Sequence, residues 1–248
     1  MSGKYVPAYE KIAALLRTAI ESGEIAPGGQ LPAVRDLAAR YEVTPGTVSR
    51  AVGRLQALGL VTTTRGGGIY VRGFEPIIRN SPGRLARDRW GTGATIQDAD
   101  TGKRSRTVDV ETGERVAPDW VAAPLGLADG AVAAFRSRRF VVEDRYVQLS
   151  VSWMPAELVR GTAIMHTDTG PGGMYARLAE LGHAPATFVE RVRTRMPTRD
   201  EEERLELLAG TPVFEITRHA TTEAGRCVEV NRMTLDGRAY VLDYTFPA

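Results

Sequence analysis

The sequence carries a single cysteine in 248 residues. Cys227 has no partner for an intramolecular disulfide, and a thiolate metal site is excluded. Histidine is scarce as well. His166, His183 and His219 show no ligand spacing to one another, so no metal ligand is expected. No apolar run approaches the ~18 residues needed to cross a bilayer. The start, Met1-Ser2-Gly3-Lys4, leads into no signal-peptide core. These absences lead us to expect a cytoplasmic protein with no membrane partner. Paired carboxylates, a nucleophile elbow and a P-loop are also missing. The hydroxyls, histidine and acid between Thr162 and Asp168 read as a polar loop. No catalytic residue and no cofactor are therefore expected.

What is present is unevenly spread. The formal net charge is only +2, yet residues 1–90 hold thirteen Lys/Arg against seven Asp/Glu, which leaves +6 there and −4 in the remainder. A basic front end on an acidic body fits a nucleic-acid-reading head on a part that does not touch phosphate. The length suits two domains of ~100–200 residues at most.

The most informative stretch runs from Leu31 to Arg72. Pro32 opens a helix whose inner face is Val34, Leu37, Ala38 and Tyr41. Thr44 caps a second helix, with Pro45 at its first position and Val48, Ala51, Val52 and Leu55 inward; Gly59 ends it. A hairpin follows, from Leu60 to Thr64 and from Ile69 to Val71, around the tip Arg65-Gly66-Gly67-Gly68. Upstream, Ala8 to Glu21 reads as another amphipathic helix, with Tyr9, Ile12, Ala13, Leu16 and Ile20 inward and Gly23 ending it. Three helices and a hairpin in this order make a winged helix-turn-helix, whose second motif helix enters the DNA major groove.

The segment from Tyr9 to Gly73 resembles the DNA-binding domain of GntR-type bacterial transcription regulators. The resemblance is carried by Tyr9, Ile12, Ile20, Gly23, Pro27-Gly28, Leu31-Pro32, Arg35, Leu37-Ala38, Val43, Thr47-Val48, Ala51, Leu55, Gly59-Leu60-Val61, Gly66, Gly68 and Val71. It implies that Arg35 lies against DNA. Thr47 and Arg50 occupy the outward face of the second motif helix. At the wing tip, Arg65 with Gly66 suits close approach to the negative minor groove. With Thr44, Gly46 and Ser49 these form the expected DNA-contacting set. Many members of the family carry arginine where this chain has Pro45 and Ser49, so either Gly46, Thr47, Ser49 and Arg50 read a different operator or Arg65 carries more of the load.

Turn clusters at Asn80-Ser81-Pro82-Gly83 and Gly91-Thr92-Gly93 mark a linker, placed at residues 74–90 between domains at 1–73 and 91–248. Gln97 to Arg115 reads as a loop and a hairpin. Two further hairpins follow, Val132–Val142 with Val147–Trp153, and Val213–Thr222 with Cys227–Thr234. Helices are expected from Gly173 to Leu181, and from the capping box at Thr198 and Glu201 to Gly210. A last strand spans Tyr240 to Phe246. Leu125–Gly130, Arg138 and Val147-Gln148 are echoed by Leu205–Gly210, Arg218 and Val228-Glu229. The fold class is therefore α+β, with the second domain built from two similar halves and a ligand expected between them.

From about Arg84 onward the chain resembles the UTRA-type effector domain of the HutC branch of the GntR regulators. Leu125-Gly126-Leu127, Gly130, Arg138, Leu149, Pro155, Gly161-Thr162, Tyr175, Leu178, Gly182, Glu190, Leu208, Gly210, Pro212-Val213, Arg218 and Glu229 carry it in order. The resemblance implies a chorismate-lyase-like α+β fold, a homodimer and a small-molecule effector. It also implies effector contacts at Arg138, Ser150, Gly173, Tyr175, Glu229 and Tyr240, with Phe140 in place of a second arginine and favouring a less charged or more aromatic ligand. Glycines before Tyr175 open a helix whose N–H groups suit an anion, and Arg138 could grip the same group. The competing readings are an Arg138–Glu229 ion pair and a core Tyr175. The function expected is a repressor on a two-fold double-stranded DNA operator, released by effector. The alternatives are a ligand-independent regulator, or an enzyme on the chorismate-lyase-like fold fused to a DNA-binding module.

Overall fold

A computed structural model describes residues 6–64, 68–72, 76–87, 105–208 and 210–245. The chain divides into two compact units, Met1–Glu75 with Leu208–Gly210, and Pro76–Leu207 with Thr211–Ala248.

In the first unit, α1 (Ala8–Glu21) buries Ile12, Ala13 and Leu16. Helix α2 (Val34–Arg40) buries Leu37 and Ala38, and α3 (Pro45–Ala57) buries Val48, Ala51, Val52 and Leu55. The Thr44 hydroxyl accepts from the Thr47 N–H at 3.3 Å, the expected cap, and Gly59 takes φ +61° after the last turn. The wing is β2 (Val61–Thr63) against β3 (Ile69–Val71). Unread in the sequence, β1 (Gln30–Leu31) pairs antiparallel with β3 and completes a three-stranded sheet. Two residues are too few to display a period.

The second unit begins with β4 (Ile77–Asn80) and α4 (Ser81–Leu85). It continues through β5 (Ser105–Val116), α5 (Asp119–Leu125), β6 (Val132–Val142), β7 (Arg145–Pro155) and α6 (Ala156–Val159). After a 3-10 turn at Ala163–Met165 come α7 (Gly173–Glu180), β8 (Pro185–Arg195), α8 (Arg199–Leu205), β9 (Val213–Thr222), β10 (Cys227–Asp236) and β11 (Tyr240–Asp243). Six strands form one antiparallel sheet in the order β5-β6-β7-β10-β9-β8.

The sequence echo becomes a pseudo-two-fold axis in this sheet. Arg138 pairs with Ser150 and Arg218 with Asn231, while across the centre Ser150 pairs with Met233 and Ser152 with Asn231. The axis therefore passes by Val151 and Arg232, which face each other. Neighbours on a strand point to opposite faces. One face packs Ala133, Phe135, Trp153 and Val230 under Val121, Ala122 and Leu125 of α5. The other packs Ala134, Met154 and Ala220 under Leu85, Val159, Ile164, Tyr175 and Leu178.

Four expectations differ from the structure. Residues 77–87 are not linker: β4 pairs in parallel with β11, and Arg79, Arg84 and Leu85 are buried. Residues 88–104 lie outside those described. Ser105 to Val116 is one long strand instead of part of a loop and hairpin, and β8 was not read at all. Each is an edge strand. The helix expected from the Thr198 cap to Gly210 ends early, at Leu205, and its counterpart in the first half ends at Leu125, where Glu206 (φ +50°) and Gly126 (φ +68°) turn left-handed. The last strand, expected to reach Phe246, ends at Asp243 and pairs with β4.

Candidate functional site

On the first unit, Arg35, Thr44, Gly46, Ser49 and Arg50 are exposed on the first turns of α2 and α3. The Arg50 guanidinium stacks over the Tyr9 ring at 4.4 Å, so α1 holds it in place on the face of α3. Thr47 is half-buried, with its hydroxyl 3.0 Å from that of Thr44. It therefore serves the cap as well as the surface. A Cβ at Gly46 would meet only Thr44 Oγ1, at 3.9 Å. The first turn of α3 thus presents a thin, backbone-rich surface suited to close approach. Arg65 and Gly66 lie outside the described residues.

In the second unit a cavity of about 340 Å³ lies on the sheet face covered by α7, within the usual range of ~300–1,000 Å³ for small-molecule sites. Arg138, Phe140, Ser150, Gly173, Tyr175 and Glu229 all line it. Tyr240 does not. It is buried on β11 beside Ile77, in the short parallel pair that ties down β4.

The two halves of the sheet treat their echoed arginines differently. Arg218 sits opposite Glu190 on β8 and donates to its Oε1 from Nε at 2.8 Å and Nη2 at 2.6 Å. Arg138 has no such partner, because β5 bulges there. Val108 pairs with Arg139 and Glu111 with Ser137, which leaves Asp109 and Val110 both opposite Arg138. Asp109 takes φ +51° and sends its carboxylate to Arg139, 2.5 Å away. Val110 is left against the cavity. Among the described residues Arg138 forms no ion pair. It donates to Ser152 Oγ at 2.6 Å and Ser150 Oγ at 3.3 Å. Burial depresses its pKa, the repulsion of Arg218 adds to that, and the attraction of Glu229 and Tyr175 offsets it in part. A half-buried guanidinium bonded only to neutral hydroxyls, in a cavity, has the chemistry to accept an anion.

Arg136, one pleat along the same strand face, does different work. It donates to the carbonyl oxygens of Ile164 (3.1 Å), His166 and Thr167 (2.6 Å) and so clamps the loop that leads into α7. Burial, with the repulsion of Arg138, pushes it down to about 10. The glycine-rich approach to α7 works as a turn: Gly170, Gly172 and Gly173 have φ of +77°, +84° and +68°. The Gly173 N–H is spent on the Gly170 carbonyl, so an anion would meet the N–H groups that follow it.

The far wall is acidic and aromatic. Tyr175 OH donates to Glu229 Oε2 and accepts from Arg218 Nη1 at 3.1 Å. Burial first, then the Glu229 carboxylate, raise the Tyr175 pKa far enough to keep the phenol protonated. Glu229 is fully buried, and its Oε1 has no hydrogen-bond partner among the described residues. Of the two competing readings, Arg138 forms no ion pair with Glu229, whereas Tyr175 does pack in the core with Leu178 and Ala220. Arg84, Val110, Arg136, Arg218 and Asn231 line the cavity too, although sequence reasoning did not place them there. Arg218 was within reach as the echo of Arg138, and Arg136 by strand alternation. Arg84 was hidden in the supposed linker.

Residues 8–71 match the model of the gntR family of bacterial regulatory proteins, and residues 100–241 match that of the UTRA domain. The chain belongs to the gntR family. It is a transcriptional regulator with a GntR DNA-binding domain and a UTRA effector-binding domain. It is 32% identical to an uncharacterized HTH-type transcriptional regulator of Streptomyces coelicolor, over 97% of this chain and 93% of that one. To the HTH-type transcriptional regulator GgaR of Escherichia coli it is 27% identical, over 90% of this chain and 84% of that one. The crystal structure of PhnF from Mycobacterium smegmatis shares the fold, with a TM-score of 0.61 at 23% identity, covering 96% of this chain and 99% of that one. In these terms α1–α3 with the wing form the GntR domain, and the cavity belongs to the UTRA domain.

Proposed function

We propose that this regulator is a repressor that binds a two-fold operator as a homodimer and leaves it when a small organic anion occupies the UTRA cavity. The observation that carries the reading is the broken symmetry at Arg138. In the other half of the sheet the same arginine is neutralised by Glu190; here a bulge removes the carboxylate and leaves a cavity in its place. An effector carboxylate or phosphate would supply the missing charge, with the first turn of α7 adding N–H donors. Phe140, 5.8 Å from the Arg138 guanidinium, offers an aromatic wall to the rest of the molecule. The buried, unpartnered Glu229 Oε1 calls for a donor on the ligand.

On the DNA side, Arg35, Ser49 and Arg50, with Arg65 and Gly66 of the wing, are the proposed contacts. A single head buries too little for a tight specific site, which supports the homodimer; sedimentation of the full chain at micromolar concentration as a clean monomer would contradict it. The reading places the protein in the cytoplasm. No helix among the described residues is long and apolar enough to cross a membrane. The effector reading is tested by calorimetry of a metabolite panel, with gel shifts on an operator selected in vitro, for wild type and Arg138→Ala. A metabolite should release DNA from wild type and fail with the variant. Equal release from both would place the effector elsewhere.

A further inference from the structure

The cavity's far wall is joined to the start of the second unit by an unbroken set of polar contacts. Tyr175 OH, already bonded to Glu229, accepts from Arg218 Nη1. Arg218 donates twice to Glu190 Oε1. The same oxygen accepts from Arg79 Nη2 at 2.6 Å. Arg79 lies on β4, is 1% exposed, and sits only four residues past Glu75, the end of the first unit.

Two guanidiniums on one carboxylate oxygen are costly to arrange without a purpose in positioning. Burial opposes ionisation of Glu190, yet Arg218 and Arg79, with the Ser81 hydroxyl, outweigh it and hold its carboxyl below the ordinary carboxylate range. Ser81 opens α4, the next element, whose Arg84 lines the cavity itself. The strand that leaves the GntR domain is thus tied to the cavity at two points a few residues apart. β4 has one neighbour strand, β11, in a two-stranded parallel sheet in which Ile77, Arg79 and Tyr240 are buried while Ile78 and Val241 are exposed. A short strand anchored by a buried ionic contact can shift when that contact is rearranged.

We propose that the chain Glu229–Tyr175–Arg218–Glu190–Arg79 is the relay by which the state of the UTRA cavity sets the position of β4, and through it the tether of the GntR domain. Arg79 and Glu190 are positioning residues in it. A ligand donor that reaches the free Glu229 Oε1 draws the carboxylate away from Tyr175, whose hydroxyl is held by Oε2, and the readjusted phenol shifts Arg218 and Glu190. The inference rests on the effector reading above for its biological sense, but its test needs neither effector nor operator.

Hydrogen exchange on the full chain reads the amides of Ile77–Asn80 and Tyr240–Asp243. Tyr175→Phe, which deletes only the hydroxyl at the cavity end, should speed exchange there by about threefold or more, with β6 and β7 as the unchanged reference. Glu190→Gln should do the same, and the double variant should show no more than the larger single effect. Unchanged exchange in Tyr175→Phe, equal acceleration in β6 and β7, or multiplying effects in the double variant would each overturn the relay. Should Glu190→Gln fail to fold, Arg79→Lys, which keeps the charge but loses the fork, breaks the same link. Titration of wild type with inorganic phosphate tests the anion site by itself, so the failure of one reading is separable from the failure of the other.

Discussion

Restoring the missing carboxylate should close the anion site from within. In Val110→Glu the new side chain stands opposite Arg138, as Glu190 stands opposite Arg218. Arg138 then exchanges two neutral hydroxyl partners for an internal counter-charge. A hydrogen bond to a charged group is worth about 1.5–3 kcal/mol, and an incoming anion would lose that amount. Its dissociation constant should rise roughly ten- to 150-fold. Stability should change little. Val110 is only half-buried, and the loss of its apolar contact, about 1 kcal/mol, is offset by the new pair. Calorimetric titration with inorganic phosphate, alongside thermal melting, measures both quantities. Asp109→Asn is the control, since Asp109 serves Arg139 on the other face and should leave phosphate affinity as it is. Wild-type phosphate affinity in Val110→Glu would refute the argument that the bulge creates the site.

On the DNA side, Arg50→Ala should weaken binding to an operator selected in vitro, and the slope of log affinity against log salt should fall by about 1 if the arginine meets a phosphate. The fold should hold, because an exposed stack on Tyr9 contributes only about 0.5–1 kcal/mol; an unchanged gel-shift titration would remove Arg50 from the interface. Acid stability should be sensitive to Glu201. Its burial favours the neutral form, but Arg195, the Thr198 N–H and the Thr234 hydroxyl outweigh this and lower its pKa from 4.5 to about 2. A folded value below the unfolded one means stability that is complete above pH 4.5 and fades as the pH falls towards 2. Melting temperatures of wild type and Glu201→Gln should therefore converge across that window, and parallel curves would count against it.

The parts legible in the sequence are those whose pattern is local and one-sided. Helices α1 and α3 each show one apolar stripe, and Thr44-Pro45 and Gly59 bracket the latter, so the boundaries of α1 come out as read and those of α3 within two residues. The hairpins β6–β7 and β9–β10 are central strands with tight turns, and they too were readable. Edge strands β5 and β8 were not, because most of their residues are exposed and several carry charge, such as Arg191 and Arg193. A strand wetted on both faces has no alternation to display. β4 escaped for another reason. Its partner β11 lies some 160 residues away, and a four-residue strand beside a turn cluster offers no local sign of so distant a pairing. At the candidate site the echo paired Arg138 with Arg218 without placing the latter at the cavity, and the bulge that separates their roles is a matter of backbone register, invisible until the strands are paired.

That register difference lets one scaffold do two jobs at once. Arg218 is committed to holding the sheet to its edge and to β4, while its twin is excused from structural duty by a single inserted residue. Under the proposed function, substitutions around Arg138, at Phe140, Ser150 or Val110, should retune the ligand accepted without touching the Arg218–Glu190 ion pair. On that reading, chemical selectivity and mechanical integrity rest on separate copies of the same strand, and a change of ligand can leave the fold intact.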